Sequence, residues 1–400
     1  MKIETYLSKL FEKSKGSVEN ALRSLVHSAS PLSAFITDFF CSTMLDVAAE
    51  LRIPTYVFFT SSASLLSVLL SLPKLVSEIP ISFKDIDFPI EVPGTLPIPG
   101  RDMLTPLQDR SDEIFDWVYR HSSPLWEATG ILINTFEELQ PEVIKALVAG
   151  KICNSTDIDR MPRFYPVGPL MSSLPLEHND KPVEDGGADC LKWLYKQPPS
   201  SVLFVSFGSE TGLPRAQVIE LALGLEASGH RFLWVLRSPS SSFLSIEETE
   251  ISQLLPEGFK SRTQDRGLVV ASWAPQIPVL SHPSTGGFLS HCGWNSTLES
   301  ISHGVPMICW PLFAEQRMNR LLLVDDFKVG IPAKMESDDF VKTGEVERVV
   351  RELMEGEGGM RVRARVKELE AAVSALKEGS SSYKAMAAAV SEWAMNAANS

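Results

Sequence analysis

The chain has 400 residues, of which 44% are apolar, and a chain of this length exceeds the usual size of a single hydrophobic core. It carries 37 basic and 50 acidic residues, a net charge of −13, without any cluster of lysine and arginine. Since proteins that bind phosphate backbones usually carry such a cluster, the composition argues against nucleic acid as a partner. We expect two globular domains of ordinary size.

The N-terminal segment does not resemble a secretion signal. Residues 1–25 alternate charged and apolar positions at helical spacing and lack the continuous apolar core of a signal peptide. The five cysteines are scattered along the chain without a CxxC pair, which argues against a disulfide framework and against a zinc site. These features predict a reducing, cytoplasmic location.

Residues 53–73 form an uncharged stretch that is long enough to span a bilayer. Pro54 and a polar cluster at residues 60–62 divide it into the runs TYVFF and SLLSVLLSL. The first run is typical of a buried strand, and the second run, which a serine precedes, is typical of a capped helix. We predict a strand, a turn and a helix here, and no membrane span.

Short apolar runs rich in β-branched and aromatic residues recur between amphipathic stretches. The predicted strands are AFITDFF, TYVFF, GILINTF, SVLFVSFG, RFLWVLR, LVVASW, GGFLSH and PMICW. This alternation is typical of parallel sheets with crossover helices and predicts an α/β fold. The alternation lapses into a charged stretch rich in Pro and Gly, which indicates a linker. The predicted parts are an N-terminal domain at 1–170, the linker at 171–188, a C-terminal domain at 189–382 and a helix at 383–400 that packs back across the domain junction.

The run SVLFVSFG ends at a turn that suits an anion. Gly208 and Ser209 follow the strand, and a helix is predicted after Pro214. Glycine lets the backbone approach a ligand, and free N–H groups at a helix start attract phosphate oxygens. Because many doubly wound proteins have such a turn for structural reasons, the interpretation as a phosphate site stays open here.

A second turn from strand to helix carries more polar groups. The run GGFLSH is followed by CGWNS and a helix, which places His291, Asn295 and Ser296 near one helix N-terminus. Asn295 and Ser296 either cap this helix or bind an anion, which the positive end of the helix dipole favours. His291 supplies a further donor, and the alternative for it is a structural histidine whose hydrogen bonds are satisfied.

Neighbouring segments supply side chains that suit stacking on a flat base and hydrogen bonding to the hydroxyls of a sugar. Trp273, with the rigid turn at 274–276, suits stacking on a base, and the carboxylate of Glu299 suits a ribose diol. Glu315 and Gln316 follow the last predicted strand at its carboxyl end, where open α/β sheets bind ligands, and their side chains suit sugar hydroxyls. Taken singly, each of these residues has an ordinary structural or solvent-exposed alternative.

Together these residues resemble the signature of a known family. The segment from Trp273 to Gln316, WAPQIPVLSHPSTGGFLSHCGWNSTLESISHGVPMICWPLFAEQ, is similar over 44 residues to the signature box of the plant family 1 UDP-glycosyltransferases. The resemblance extends through nearly the whole chain. It implies two facing Rossmann-like domains of the GT-B type, the N-terminal one incomplete because the segments that open it in the family have no match here. The motifs that look most like the branch glucosylating phenols such as hydroquinone and monolignols are SFGS, NTFEELQP, FYPVGPL and FFTSSA.

The resemblance implies UDP-glucose as the donor, without a metal. Trp273 would stack on uracil, and the backbone of Ala274 would pair with it. A closing glutamine, here Gln316, goes with glucose in the family. The other implied contacts are Gln276 and Glu299 with the ribose, Ser209, His291, Asn295 and Ser296 with the diphosphate, and the Trp294 backbone, Glu315 and Gln316 with the sugar.

The implied reaction is attack by a hydroxyl of a small phenolic acceptor on the anomeric carbon, with inversion. A general base must take the proton of that hydroxyl. In the family the base is a histidine in a segment like GHxxP, oriented by an aspartate. Asp38, at the end of AFITD, matches the aspartate, and its alternative is a cap at a strand end. The histidine has no match, and His27 is disfavoured as a substitute.

The unmatched histidine leaves two interpretations open. One is a glucosyltransferase shortened at its N-terminus, which we favour because the donor-site positions are intact. The other is a noncatalytic UDP-sugar-binding protein on the same scaffold. The two interpretations differ in whether bound UDP-glucose turns over. A dehydrogenase is disfavoured because no GxGxxG motif opens a βαβ unit.

Overall fold

The computed structural model describes residues 3–26, 32–152, 161–171, 186–209, 212–238, 248–374 and 378–399. The chain divides into two compact units, each with a parallel sheet and helices, which confirms the predicted α/β class. Unit 1 consists of Met1–Leu170, Phe313–Met318 and Ala375–Ser400, and unit 2 consists of Met171–Leu312 and Asn319–Ser374.

Strands and helices alternate along the described residues of both units. The strands are β1 (Phe35–Asp38), β2 (Thr55–Phe59), β3 (Pro89–Ile90), β4 (Ile98–Pro99), β5 (Gly130–Ile133), β6 (Arg163–Pro166), β7 (Val202–Ser206), β8 (Arg231–Leu236), β9 (Gly267–Ala271), β10 (Thr285–Ser290), β11 (Met307–Cys309) and β12 (Gly330–Pro332). The helices are α1 (Ile3–Val26), α2 (Leu45–Glu50), α3 (Ala63–Glu78), α4 (Glu113–Ser122), α5 (Pro141–Val148), α6 (Gly186–Leu194), α7 (Arg215–Ser228), α8 (Glu248–Leu254), α9 (Phe259–Thr263), α10 (Gln276–Leu280), α11 (Trp294–Ser302), α12 (Gln316–Leu321), α13 (Thr343–Glu355), α14 (Glu357–Ser374) and α15 (Ser381–Asn399).

The eight predicted strands all overlap observed strands. β2 coincides with TYVFF, whereas β1 ends at Asp38 and the following Phe39 and Phe40 begin a 3₁₀ helix. The prediction did not include the two-residue strands β3 and β4, nor β6 and β12, which are four and three residues long and end in proline. Runs this short carry no periodic signal, and the extended form of β6 and β12 depends on the neighbouring strands β5 and β11.

Unit 1 is built on a parallel sheet in the order β1-β2-β5-β6, beside the antiparallel hairpin β3-β4. The uncharged stretch 53–73 forms β2 and most of α3, as predicted. The Ser62 side chain accepts from the Leu65 N–H at 3.2 Å and caps α3, which continues through Pro73 to Glu78. None of the described helices is long and apolar enough to cross a membrane.

Unit 2 is built on a parallel sheet in the order β12-β11-β10-β7-β8-β9. The chain moves outward from β7 to β9 and then returns to β10 on the other side of β7. This reversal is a topological switch point. In open α/β sheets, ligands bind at such a point, in the crevice outside the carboxyl ends of the strands. The rings of Phe204 and Phe288 stack at a centroid distance of 5.0 Å and join the two strands that flank the crevice.

The unit bounds and the predicted domain bounds differ at two places. Phe313–Met318, predicted inside the C-terminal domain, clusters with unit 1, and so does α15. Within unit 1, the Glu392 carboxylate of α15 accepts from the Tyr56 hydroxyl at 3.0 Å and pairs with Arg163. The place of this helix at a domain junction stays a prediction, and most of the predicted linker, residues 172–185, lies outside the described residues.

Candidate ligand-binding site

The crevice of unit 2 opens between the ends of β7 and β10, where Gly208 faces His291. Gly208 has φ +83°, and a Cβ there would lie 2.9 Å from the Cε1 and Nε2 atoms of the imidazole. A Cβ on Gly293 would lie 2.5 Å from the same Nε2. Carbon atoms of side chains do not pack this closely, so both positions require glycine. The glycine predicted to admit a ligand also admits the His291 ring.

The His291 imidazole is neutral at physiological pH. Burial lowers its pKa to about 4, although the Ser206 backbone favours the charged form. A neutral imidazole has one N–H donor and one acceptor nitrogen, so His291 offers a phosphate oxygen a hydrogen bond without a full charge. Its position beside the switch point agrees with the predicted anion site, and the contact itself stays a prediction.

The helix after β10 begins without a side-chain cap. Gly293 is the N-cap residue of α11, and Trp294 is its first residue. The predicted alternative in which Asn295 or Ser296 caps α11 is therefore wrong, because both lie inside the first turn. Asn295 is exposed at this end. The first N–H groups of the helix lack an acceptor from the N-cap side chain, and such groups bind anions.

Gln276, Ser296 and Glu299 form a polar cluster between α10 and α11. The Gln276 amide donates to the Ser296 hydroxyl at 2.9 Å and to the Glu299 carboxylate at 2.6 Å. Just before this cluster, Ala274 is buried, whereas the Trp273 side chain is 52% exposed. An exposed indole beside a buried backbone suits stacking on a flat ligand. The structure thus brings together residues that the sequence places on two different helices.

Two further predicted residues of unit 2 differ in exposure. Trp294 is buried, and its ring lies 6.5 Å from that of Phe327 between centroids, so its side chain belongs to the interior of the unit. Ser209 is exposed, directly after Gly208. Both placements are compatible with the predicted contacts, and neither tests them.

Glu315 and Gln316 lie in unit 1, on the segment Phe313–Met318. The Gln316 side chain accepts from the Phe313 N–H at 3.0 Å, and the Ala314 carbonyl accepts from the Thr105 N–H at 2.9 Å. The first bond lies within the segment, and the second bond holds the segment against Thr105, which follows β4. Because the two residues belong to a different unit from the crevice, their approach to the same ligand stays a prediction.

Asp38 caps the 3₁₀ helix that follows β1. Its carboxylate accepts from the Cys41 N–H at 3.0 Å, which is the structural alternative considered for this residue. The role of Asp38 in orienting a catalytic base stays a prediction. His27, disfavoured from the sequence as a substitute base, lies outside the described residues. The capping bond leaves the exposed Asp38 side chain with further acceptor capacity.

His121 lies close enough to Asp38 for the carboxylate charge to act on it, an arrangement that the sequence did not reveal. Burial, with a smaller effect of the Arg120 charge, lowers the pKa of His121 to about 4, while the Asp38 charge acts in the opposite direction. The ring is 1% exposed and lies 2.9 Å, through Nε2, from the Ser8 hydroxyl. No local pattern marks this arrangement, because it arises from the packing of α1 and α4 around the 3₁₀ helix. No group of three or more metal-binding side chains occurs within the described ranges.

Replacing Glu299 by glutamine is expected to raise the melting temperature at pH 7 by about 1–2 °C. Burial raises the pKa of Glu299, against the opposing effects of Gln276 and the His303 charge. A carboxyl with a raised folded-state pKa stabilises the fold while it is protonated, and this contribution disappears as the pH rises through that pKa. Thermal denaturation of Glu299→Gln should therefore show a gain at pH 7 that vanishes near about pH 4.

A suitable control for this prediction is Glu345→Gln. Burial of Glu345 is outweighed by Arg348 and the Lys334 N–H, so its pKa is lowered and the ionised form stabilises the fold. The control should have a lower melting temperature at pH 7. A lower melting temperature for Glu299→Gln as well would mean that the charged hydrogen bond from Gln276 outweighs burial.

Comparisons with known proteins agree on one assignment. The family model described as UDP-glucuronosyl and UDP-glucosyl transferase matches residues 131–357. UDP-glycosyltransferase 72B1 of Arabidopsis thaliana is 44% identical over 98% of this chain and 81% of its own length. Hydroquinone glucosyltransferase of Rauvolfia serpentina is 40% identical over 98% of this chain and 82% of its own. Phytolacca americana UGT2, solved with UDP-2fluoro-glucose and pterostilbene, has a TM-score of 0.87 and 44% identity over 98% of this chain and 83% of its own.

Proposed function

Because this chain belongs to the UDP-glucuronosyl and UDP-glucosyl transferase family, as one of the plant family 1 UDP-glycosyltransferases, we propose that it transfers glucose from UDP-glucose to a small phenolic acceptor. The transfer proceeds with inversion at the anomeric carbon. The observation that carries the proposal is the crevice of unit 2, where a neutral histidine, an uncapped helix N-terminus and an exposed indole occupy one sheet edge. A relative that glucosylates hydroquinone supports the acceptor class.

The proposed donor contacts follow from the chemistry of each group. Trp273 stacks on uracil, and Glu299 accepts from the ribose hydroxyls. His291 and the first N–H groups of α11 stabilise the diphosphate, which leaves as UDP without a metal. Gln316 contacts the glucose hydroxyls. We also place the protein in the cytoplasm, where its free thiols, including the buried Cys292, stay reduced.

A second candidate function is UDP-sugar binding without efficient turnover. An inverting transfer needs a base within reach of the acceptor hydroxyl, and the base contributes a factor of about 10² to 10⁴. Among the histidines of the described ranges, His121 is the one on which Asp38 acts, and it is 1% exposed. A ring buried this deeply is not accessible to a bound acceptor, and this observation is the reason for keeping the second candidate.

Both candidates are tested by one pair of measurements on the purified chain. Calorimetric titration with UDP measures donor-site binding, and release of UDP from UDP-glucose in the presence of hydroquinone measures turnover. UDP-galactose serves as the control donor. Binding with turnover that prefers UDP-glucose supports the glucosyltransferase, and binding without turnover supports the second candidate. Absence of UDP binding would contradict both.

A further inference from the structure

The backbone in front of Trp273 makes a strained turn. Ser272 has φ +58°, and the Trp273 N–H donates to the Ala271 carbonyl at 2.5 Å, which closes a three-residue turn around Ser272. A turn of this hand is rare and costly for a residue with a side chain. It persists only where neighbouring groups hold it in place.

Arg237 holds this turn. The peptide group between Ser272 and Trp273 is bonded at both ends, because its N–H binds the Ala271 carbonyl and its own carbonyl accepts from Arg237 Nη1 at 2.6 Å. The Ser272 N–H also donates to the Leu236 carbonyl at 3.0 Å. Arg237 follows β8, so it bridges the ends of β8 and β9. The direction in which the chain leaves β9 therefore depends on this guanidinium.

Packing alone does not fix the Trp273 side chain. The indole is 52% exposed, so its position depends on the backbone that carries it. Arg237 is half-buried, and burial lowers the pKa of its guanidinium without an offset from any carboxylate in the described part of the chain. A desolvated cation is costly, and the hydrogen bond to the Ser272 carbonyl is the compensation that the structure offers.

We propose that Arg237 is a positioning residue for base recognition, since it holds the Ala271–Trp273 turn and thereby aims the exposed indole of Trp273 at the nucleotide base. This role rests on the proposed function, because it requires that Trp273 stacks on uracil. It makes a specific prediction about ligands. A nucleotide has a base that depends on the indole, whereas pyrophosphate offers only phosphate groups to the crevice.

The test compares UDP with inorganic pyrophosphate as calorimetric ligands. Arg237→Met keeps the approximate length of the side chain and removes its donors. We expect it to weaken UDP binding by about tenfold, within the range of a base-stacking contact, and to change pyrophosphate binding by less than about twofold. Arg237→Lys keeps one charged donor and should recover part of the UDP affinity. The unchanged pyrophosphate affinity also shows that the variant is folded.

Two further variants separate positioning from general stability. Arg231→Met, at the opposite end of β8, is the matched control and should leave both affinities unchanged. In a Trp273→Ala background, Arg237→Met should have little further effect on UDP binding, because coupled residues are not additive. The positioning role of Arg237 would be overturned if the effects of Arg237→Met and Trp273→Ala on UDP binding were additive. It would also be overturned if Arg237→Met weakened the binding of UDP and of pyrophosphate equally.

The outcomes also distinguish this role from the proposed function. A wild-type chain that binds pyrophosphate but not UDP overturns both. If the wild-type chain binds UDP and Arg237→Met binds it equally well, the proposed function stands and the role of Arg237 is wrong.

Discussion

Replacing His291 by alanine is expected to weaken UDP binding by at least about tenfold, the effect of losing one hydrogen bond to a charged group. The imidazole lies against Gly208 at the switch point of the unit 2 sheet, and burial keeps it neutral with a pKa of about 4. Removing it takes away a donor and opens space next to the diphosphate, which water then fills. Calorimetric titration with UDP measures the loss.

The matched control for this prediction is His230→Ala. His230 also has a pKa lowered by burial, but it precedes β8 at the amino edge of the sheet, with its Nε2 3.8 Å from the Glu355 carboxylate. Its replacement should leave UDP binding unchanged. His291→Gln, which retains a donor, should bind UDP more tightly than His291→Ala. Equal affinities of wild type and His291→Ala would remove His291 from the diphosphate site.

Replacing Gly208 by alanine is expected to lower both stability and UDP affinity. The φ of +83° costs about 1 kcal/mol or more for a residue with a side chain. The new Cβ would also lie 2.9 Å from the His291 ring and would displace it. We expect a lower melting temperature and UDP binding weakened at least as much as by His291→Ala, about tenfold. Thermal denaturation and calorimetry report the two effects separately.

The double variant Gly208→Ala, His291→Ala identifies the cause. Once the ring is absent, the added methyl group has nothing to displace, so the double variant should bind UDP no more weakly than His291→Ala, while the backbone strain still lowers the melting temperature. Gly344→Ala, in α13 with no atom within 4 Å of its added Cβ, is the control and should not affect binding. A further loss of UDP affinity in the double variant would show that Gly208 contacts the ligand directly.

The elements and the glycines were largely predictable from the sequence. TYVFF coincides with β2 because five consecutive β-branched and aromatic residues satisfy a buried parallel strand at every position. Gly208 was predictable as well, because the turn after β7 has a positive φ that favours glycine. By contrast, the capping role considered for Asn295 and Ser296 was wrong, since a polar residue near a helix start does not by itself show which position it occupies.

The sequence by itself determined the two parallel sheets and the set of residues from Trp273 to Gln316 that resembles a UDP-sugar site, since both depend on residue type and short spacing. The tertiary structure alone decided which residues meet. Gly208 meets His291 because β7 lies beside β10, and Arg237 meets Ser272 because β8 lies beside β9. His121 meets Ser42, whose hydroxyl lies 3.3 Å from its Nδ1, because α4 packs on the 3₁₀ helix after β1. Local periodicity contains no information on strand order, so contacts between residues far apart in the chain appear only once the sheet is assembled.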